Sequence, residues 1–465
     1  MSHRSRTEDR LPGPHGEPRS QGLMDPTIGT DSNDDGSARI LGVLDPMLVL
    51  SIGVAIRFFC LSFYTPFILI YLHSGLGLPY VTASSYLSLP SVAALIFPIW
   101  GGGLTDRFGR RRLVILSLAA EACGIATFAV GIHYAALAGI IGGLFAARAA
   151  GTVGSPSVSA YIADVNSPAR RTVGFAWLRS AQNLGFSIGV AAGGGLLLVL
   201  SFGQLAVLAA LIAACGVLFS AILLPVSPHD RTVAESRKFA LQETSGNRGN
   251  SGRGLRGIAQ SFQASIRALR HDRALLLFWA TSCFLWMLIW QFAYAVPAFA
   301  SSGLGVSYLY IGVALALNGA VPVLSQVPLT RTLTGRAMTR VGLWGLLAYT
   351  IAFFGMGLEG VVRVLVIPVL FVLVIVMTLG ENLVAVPLFT LPMNIAPKAE
   401  RGAYSGAMST AGGVGSIIVP SLTGFALGFE ATPLVTWTML VLPVVPAAVL
   451  LRMVRSRVSP ASNKI

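Results

Sequence analysis

The sequence predicts an all-α membrane protein, with twelve transmembrane helices in two parallel six-helix bundles. Three observations predict it. The chain of 465 residues is 54% hydrophobic and only 11% charged, where a soluble domain carries about 25% charged residues. So apolar a chain needs lipid outside it as well as side chains inside it, and its mean hydropathy is +0.72. Apolar segments of about 20 residues, long enough to cross a hydrocarbon core, recur through it. Its cationic residues fall in alternate loops.

Residues 1–45 are polar, without periodicity, and rich in Pro, Gly, Asp and Arg. They read as a disordered cytoplasmic tail and lack the apolar stretch of a signal peptide. The apolar segments follow near 46–72, 82–104, 113–132, 135–163, 173–200 and 203–225, then near 274–300, 307–330, 340–358, 363–392, 402–427 and 431–452. This gives an N-terminal bundle at 46–225, a polar cytoplasmic linker at 226–273, a C-terminal bundle at 274–455 and a cytoplasmic tail at 456–465.

Orientation follows from the loops. With the N-terminus placed in the cytoplasm, the inward loops hold Arg107, Arg110, Arg111, Arg112, Arg170 and Arg171, then nine Lys and Arg in the linker. Arg331, Arg336, Arg340, Lys398 and Arg401 continue the series, while the outward loops carry none, Arg363 just inside one span being the nearest. That is the positive-inside pattern of a multi-pass protein of the plasma or inner membrane, both termini cytoplasmic. The net charge of +14 is then topology, and no nucleic-acid partner is expected. Cys60, Cys123, Cys215 and Cys283 lie in apolar runs without a CxxC pair, and read as buried apolar residues. The six histidines sit in tails, loops or span ends, so no metal site is expected.

The halves repeat. Arg171 precedes Gly185 by fourteen residues, as Arg401 precedes Gly415, and the two stretches lie 230 residues apart. Both open the fifth span of their half on the cytoplasmic side, so the repeat is parallel, as in alternating-access carriers. In the linker, Leu255, Ile258, Phe262, Ile266 and Leu269 recur at helical spacing among Arg256, Arg267 and Arg270. This predicts an amphipathic helix on the anionic inner leaflet; the alternative is a solvated linker.

The stretch GGGLTDRFGRRR at 101–112 sets the densest charge against the greasiest surroundings. Gly102, Leu104, Asp106, Arg107, Gly109, Arg110 and Arg111, between the second and third spans, resemble the loop signature of the major facilitator superfamily. The stretch at 329–340 keeps the basic residues and lacks the aspartate. The resemblance covers about 46–455 and implies that Asp106 faces the N-terminus of span eleven, whose partial positive charge attracts a carboxylate. The arginines would tie to carboxylates or lipid phosphates, and the loop would latch the halves on the cytoplasmic side. Alternatively, Arg107 and Arg110 to Arg112 only set topology. In span five, Gly185, Gly189, Gly193 and Gly194 resemble the drug/proton antiporter motif, with Val190 where that motif has proline.

Arg57, Glu121, Arg148 and Glu381 lie well inside spans. Unpaired charge in hydrocarbon is costly, so each is a candidate functional residue. At 1.5 Å per residue, Arg57, Glu121 and Arg148 share one level near mid-membrane. Glu121 either neutralises Arg57 or takes part in coupling. Arg148 resembles the fourth-span arginine that the superfamily associates with proton-coupled transport. Glu381 lies on a tenth span, which by resemblance lines the cavity, and an apolar cavity disfavours its charged form, as a proton carrier needs. The expected proton-coupling set is Glu381, Glu121 and Arg148. The expected substrate cavity is lined by Arg57, Phe58, Tyr64, Trp286, Trp290, Gln291 and Tyr294, although aromatic residues at helical spacing also pack helices.

Three functions compete. The first is proton-coupled efflux of small amphiphilic compounds, multidrug-type. The second is carriage of an anionic metabolite, an organic anion or organophosphate, on Arg57 and Arg148. The third is a sugar carrier or a non-transporting receptor. No catalytic set supports an enzyme. The expected partners are a small-molecule substrate, protons and membrane lipid; the expected state is monomeric, without cofactor and driven by the proton gradient.

Overall fold

The computed structural model describes residues 45–97, 100–101, 104–105, 108–167, 170–228, 230–231, 263–397, 400–429 and 432–465. The expected disordered tail, save Asp45, lies outside the described residues, as do Leu255, Arg256, Ile258 and Phe262 of the expected linker helix.

Helices follow the apolar segments: α1 Pro46–Gly75, α2 Tyr80–Ile96, α3 Arg110–His133, α4 Leu137–Val165, α5 Arg171–Leu196 and α6 Phe202–Leu223. They continue with α7 Arg273–Ser302, α8 Tyr308–Leu333, α9 Met338–Val362, α10 Val366–Ile395, α11 Arg401–Gly428 and α12 Pro433–Arg455. Among the described residues, 10 helices are long and apolar enough to cross a membrane. α2 is shorter as described, and α5 carries Arg171, Arg179, Gln182 and Asn183, so the expected total of twelve spans rests on those two.

Local chemistry shapes the ends. The Asp45 side chain accepts from Met47 N at 2.8 Å and Pro46 occupies the first turn of α1, where a missing N–H costs nothing. Pro66, deep in α1, removes one N–H; there the helix tightens to a 3₁₀ turn at Thr65–Phe67, and it widens to a π turn at Tyr71–Gly75.

Packing repeats with the sequence. α1 packs on α5 and α6, α3 on α4 and α6, and α2 on α4; α7 packs on α11 and α12, α9 on α10 and α12, and α8 on α10. Each pair of the first set recurs six helices later. Two crossings, α5 on α8 and α2 on α11, join the sets most extensively and are themselves equivalent; α7 also packs on the Thr65–Ile70 stretch of α1. The glycines of α5 explain why the helices approach so closely. A Cβ at Gly185, Gly189 or Gly193 would run into the carbonyl oxygens of Ala55, Phe59 and Phe63 on α1, and one at Gly194 would sit 3.0 Å from Gly312 Cα on α8. Gly424, 230 residues beyond Gly194, meets Tyr80 and Ser84 of α2 in the same way. Gly189→Leu is therefore expected to collapse the folded yield, because neither backbone can move aside. A monodisperse size-exclusion profile at wild-type yield would contradict this seam.

Residues just past the sixth helix of each set cap the helix starts at the basic end. Asp230 accepts from Arg110 N at 2.8 Å and Arg111 N at 3.0 Å at the start of α3. Asn463 accepts from Met338 N at 2.7 Å and Thr339 N at 3.1 Å at the start of α9. Residues 456–465, expected only as a tail, thus hold α9 in place. Before α7, residues 263–271 are helical and bury Ser265 and Ala268, with Ala268 packed beside Tyr404 of α11, whereas Ile266 is 37% exposed. Of the expected lipid-facing stripe, Leu269 thus packs on protein, in a segment held to α11 by Asp272, which caps α7 and accepts from the Tyr404 hydroxyl at 2.6 Å.

The apolar core divides along the bundle. One cluster joins both sets, from Phe63 to Leu72 through Val190, Phe299 and Tyr349 to Trp437. At the Lys/Arg-rich end it gives way to separate clusters, one around Val54, Tyr161 and Leu224, the others around Phe278 and Met338 and around Leu275 and Tyr404. Cys60 and Cys283 are buried as expected. Cys123 and Cys215 are exposed, because a lipid-facing position is as apolar in sequence as a core position.

Candidate functional site

Arg57 of α1 and Glu121 of α3 meet in a two-pronged ion pair. Arg57 Nε donates to Glu121 Oε2 at 2.6 Å and Nη2 to Oε1 at 3.1 Å. The Glu121 side chain is 4% exposed and the Arg57 side chain 23%. Gly151 of α4 makes room for the pair, since a Cβ there would strike the Arg57 guanidinium. Beneath Arg57 lies a cavity of about 60 Å³ whose wall includes Ser117, Ser155, Ser159, Gln182 and Ser220. It is polar and roomy enough for water. The Arg57 guanidinium also lies 5.5 Å from the Phe58 ring centroid.

Arg148 lies within electrostatic range of Arg57 and Glu121, as their shared level predicts, and also contacts the other set. Its guanidinium carbon lies 5.6 Å from the Trp290 ring centroid on α7, the range of a cation–π contact, and the Tyr294 hydroxyl is close to both Arg148 and Ser91. Among the described residues no carboxylate lies within 4.0 Å of Arg148. The contact belongs to a belt. Trp290 and Trp286, one helical turn apart, have centroids 6.4 Å apart; Trp286 meets Phe389 of α10 edge-on at 6.2 Å. Arg179 of α5 lies 5.0 Å over the Phe389 ring. The order is guanidinium, indole, indole, phenyl, guanidinium, and it crosses between the sets at both ends. Trp290 Nε1 is buried with no hydrogen-bond partner among the described residues.

Glu381 of α10 accepts from Asn318 Nδ2 of α8 at 2.8 Å, and the same amide reaches Thr378 Oγ1 at 3.2 Å. Arg179 is within electrostatic range of Glu381. No basic residue is near Glu381 in the sequence, and Arg179 comes to it from the other set. Arg179 is the functional candidate that sequence reasoning missed. Its position, two turns into α5, was the available signal.

Two expected cavity residues are buried at helix contacts. Tyr64 is 2% exposed and packs on Phe128 of α3 with centroids 4.9 Å apart. Gln291 is fully buried between α7 and α11, where its Oε1 accepts from Thr423 Oγ1 at 3.0 Å.

Of the loop signature, Gly102, Asp106 and Arg107 lie outside the described residues. Gly109 has φ +87°, where a side chain would be strained, and a Cβ there would meet Asp230 Oδ1 at 2.8 Å. Arg110 Nε lies 2.9 Å from Asp164 Oδ2 of α4, too poorly aligned for a hydrogen bond and so an ion pair only. Arg111 donates to the carbonyls of Leu224 and Ala221, covering the C-terminal end of α6 with positive charge. These contacts join α3, α4 and α6 and stay within one set.

The family model of the Major Facilitator Superfamily matches residues 50–420. The chain belongs to that superfamily. Solved transporter structures share the fold. A POT family transporter in complex with a thioalcohol-conjugated peptide has a TM-score of 0.69 at 14% identity, over 90% of this chain and 96% of that one. The nucleoside transporter NupG scores 0.67 at 14% identity, over 89% and 100%. The inward open conformation of the xylose transporter XylE from E. coli scores 0.62 at 16% identity, over 86% and 94%. In sequence, Multidrug resistance protein 2 of Bacillus subtilis (strain 168) is 32% identical over 106 residues, 22% of this chain and 25% of that protein. The similarity thus spans a quarter of that relative. This superfamily member is a multi-pass membrane transporter and not an enzyme.

Proposed function

We propose that this transporter exports small amphiphilic organic compounds in exchange for protons, by alternating access, as a monomer in the plasma or inner membrane. Both termini would be cytoplasmic, and the proton gradient would supply the energy without a cofactor. The carrying observation is the belt: flat aromatic faces between the two sets with a titratable carboxylate, Glu381, at one end. Aromatic surface accepts varied amphiphiles and offers few hydrogen bonds to a sugar. Partial similarity to a multidrug resistance protein supports the reading. The divided core supports an inward-facing state, parted at the basic end and held at the other by Gly194 on Gly312 and by the Tyr80 hydroxyl on Ser302 Oγ at 2.7 Å. A multiply charged metabolite is disfavoured because Glu121 already occupies Arg57.

Everted vesicles test the proposal: an imposed gradient, acid inside, should drive amphiphile accumulation above the level reached without it, and dissipating it should stop the flux. Gradient-independent movement of every compound tested would reject proton coupling. At the gate, Asp106→Asn should cut flux at least tenfold with normal membrane insertion, since a neutral amide is drawn less to a helix N-terminus. Wild-type flux in that variant would leave the loop a topology marker only.

A further inference from the structure

Resting on the export reading, we propose that the belt between the sets selects aromatic monoanions, with Arg148 and Trp290 Nε1 receiving the acidic group and the indole faces receiving the ring. Charge comes first. Among the described residues, the charged side chains deep in this region are Arg57, Arg148 and Arg179 against Glu121 and Glu381. Three guanidiniums against two carboxylates leave one net positive charge. Arg57 is closed off by its two-pronged pair with Glu121, and Arg179 has Glu381 within range. Arg148 is the cation left over: among the described residues no carboxylate lies within 4.0 Å of it, and Glu121, within electrostatic range, is already taken up by Arg57. An indole face tolerates a guanidinium but does not neutralise it. An anion does both.

The second observation is the indole nitrogen. Trp290 Nε1 is buried with no acceptor among the described residues, on the ring that the Arg148 guanidinium covers. A buried donor left unmade is costly, and one beside a free guanidinium suits an oxyanion, which accepts from both at once. The third is shape. Trp290 and Trp286 follow each other along α7 at 6.4 Å with an interplanar angle of 30°, and Phe389 closes the row. This strip is flat and apolar, suited to one or two fused rings. A carboxylate or sulfonate on an aromatic ring satisfies all three features. A cationic amphiphile fits the strip but meets Arg148 with like charge.

The test uses three probes of equal size, 2-naphthoate, 2-naphthamide and 2-naphthylmethylammonium, titrated calorimetrically into the purified full-length protein. Naphthoate should bind at least tenfold more tightly than the amide, and the ammonium most weakly. Arg148→Gln should bring naphthoate and amide within twofold of each other, whereas Arg148→Lys keeps most of the preference. Trp290→Phe, which keeps the apolar face and removes the donor, should weaken naphthoate severalfold and leave the amide unchanged. It also serves if Arg148→Gln does not fold. Tighter binding of the ammonium, or an anion preference untouched by both substitutions, overturns the proposal. Vesicle flux separates it from the export reading. Arg148-dependent naphthoate binding without gradient-driven movement keeps the selectivity and rejects export. Gradient-driven movement of cations with no naphthoate binding rejects the selectivity and keeps export.

Discussion

Glu381→Gln is expected to abolish proton-driven accumulation while leaving downhill exchange of substrate intact. The glutamine keeps the volume of the glutamate and can accept from Asn318, whose amide now donates to Glu381 Oε2 at 2.8 Å, so the site should stay folded. It removes the one property coupling needs, a charge that comes and goes with a proton. A carboxylate deep in an apolar bundle exchanges protons only if something stabilises its ionised form. Here that group comes from the other set: Arg179 of α5 lies within electrostatic range of Glu381 and is itself braced on Phe389 of α10. If the sets rock as the proposed alternating access requires, the distance between Arg179 and Glu381 would change, and with it the carboxylate's need for a proton. Coupling would then live in a contact between the sets, which is where alternating access moves most.

Two measurements side by side decide the matter: accumulation under a proton gradient and exchange without one. The first should fall to background and the second should stay within about threefold of wild type. Accumulation surviving in the variant would pass the role to Glu121 or Asp106. Arg179→Gln should resemble it in part, reducing accumulation while leaving Glu381 titratable, so its flux should recover at a shifted pH. A flux–pH profile unchanged by Arg179→Gln would mean that the two residues are neighbours without coupling.

The spans, the internal repeat and the mid-membrane charges were legible because each leaves a mark in composition or spacing. Length and hydropathy mark spans, and a charge among apolar residues stands out singly. The α5 glycines were legible too, and the backbones of α1 and α8 that they admit account for them. What was not legible is which way a membrane helix faces. Lipid and core are equally apolar, so hydropathy does not separate Tyr64 and Gln291, buried at helix contacts, from Trp286 and Trp290 on the belt. The same ambiguity hid the exposure of Cys123 and Cys215. Arg179 was missed for a related reason. It lies near enough to the basic end of α5 to pass for a topology signal, and only the crossing of α5 with the other set brings it to Glu381 and Phe389.

Arg57→Gln and Glu121→Gln should each lower folded yield and melting temperature, and the double variant should recover part of the loss. Breaking a buried ion pair leaves one charge uncompensated, at a cost of about 3–5 kcal/mol, whereas replacing both partners is often close to neutral. The lower end of that range is expected. Arg57 retains 23% exposure, and the cavity of about 60 Å³ beneath it can admit water to the orphaned guanidinium. Glu121 has less relief, being 4% exposed, so Arg57→Gln, which strands the carboxylate, should be the more damaging single change. Melting temperatures in a double-mutant cycle read this directly, and strictly additive losses would mean that the two-pronged contact contributes no pairing energy. Flux through the double variant then assigns the pair. A folded double variant that still accumulates substrate makes Glu121 a neutraliser that lets Arg57 exist at mid-membrane. A folded double variant that exchanges but does not accumulate makes Glu121 a second proton site, reached through the serine-lined cavity.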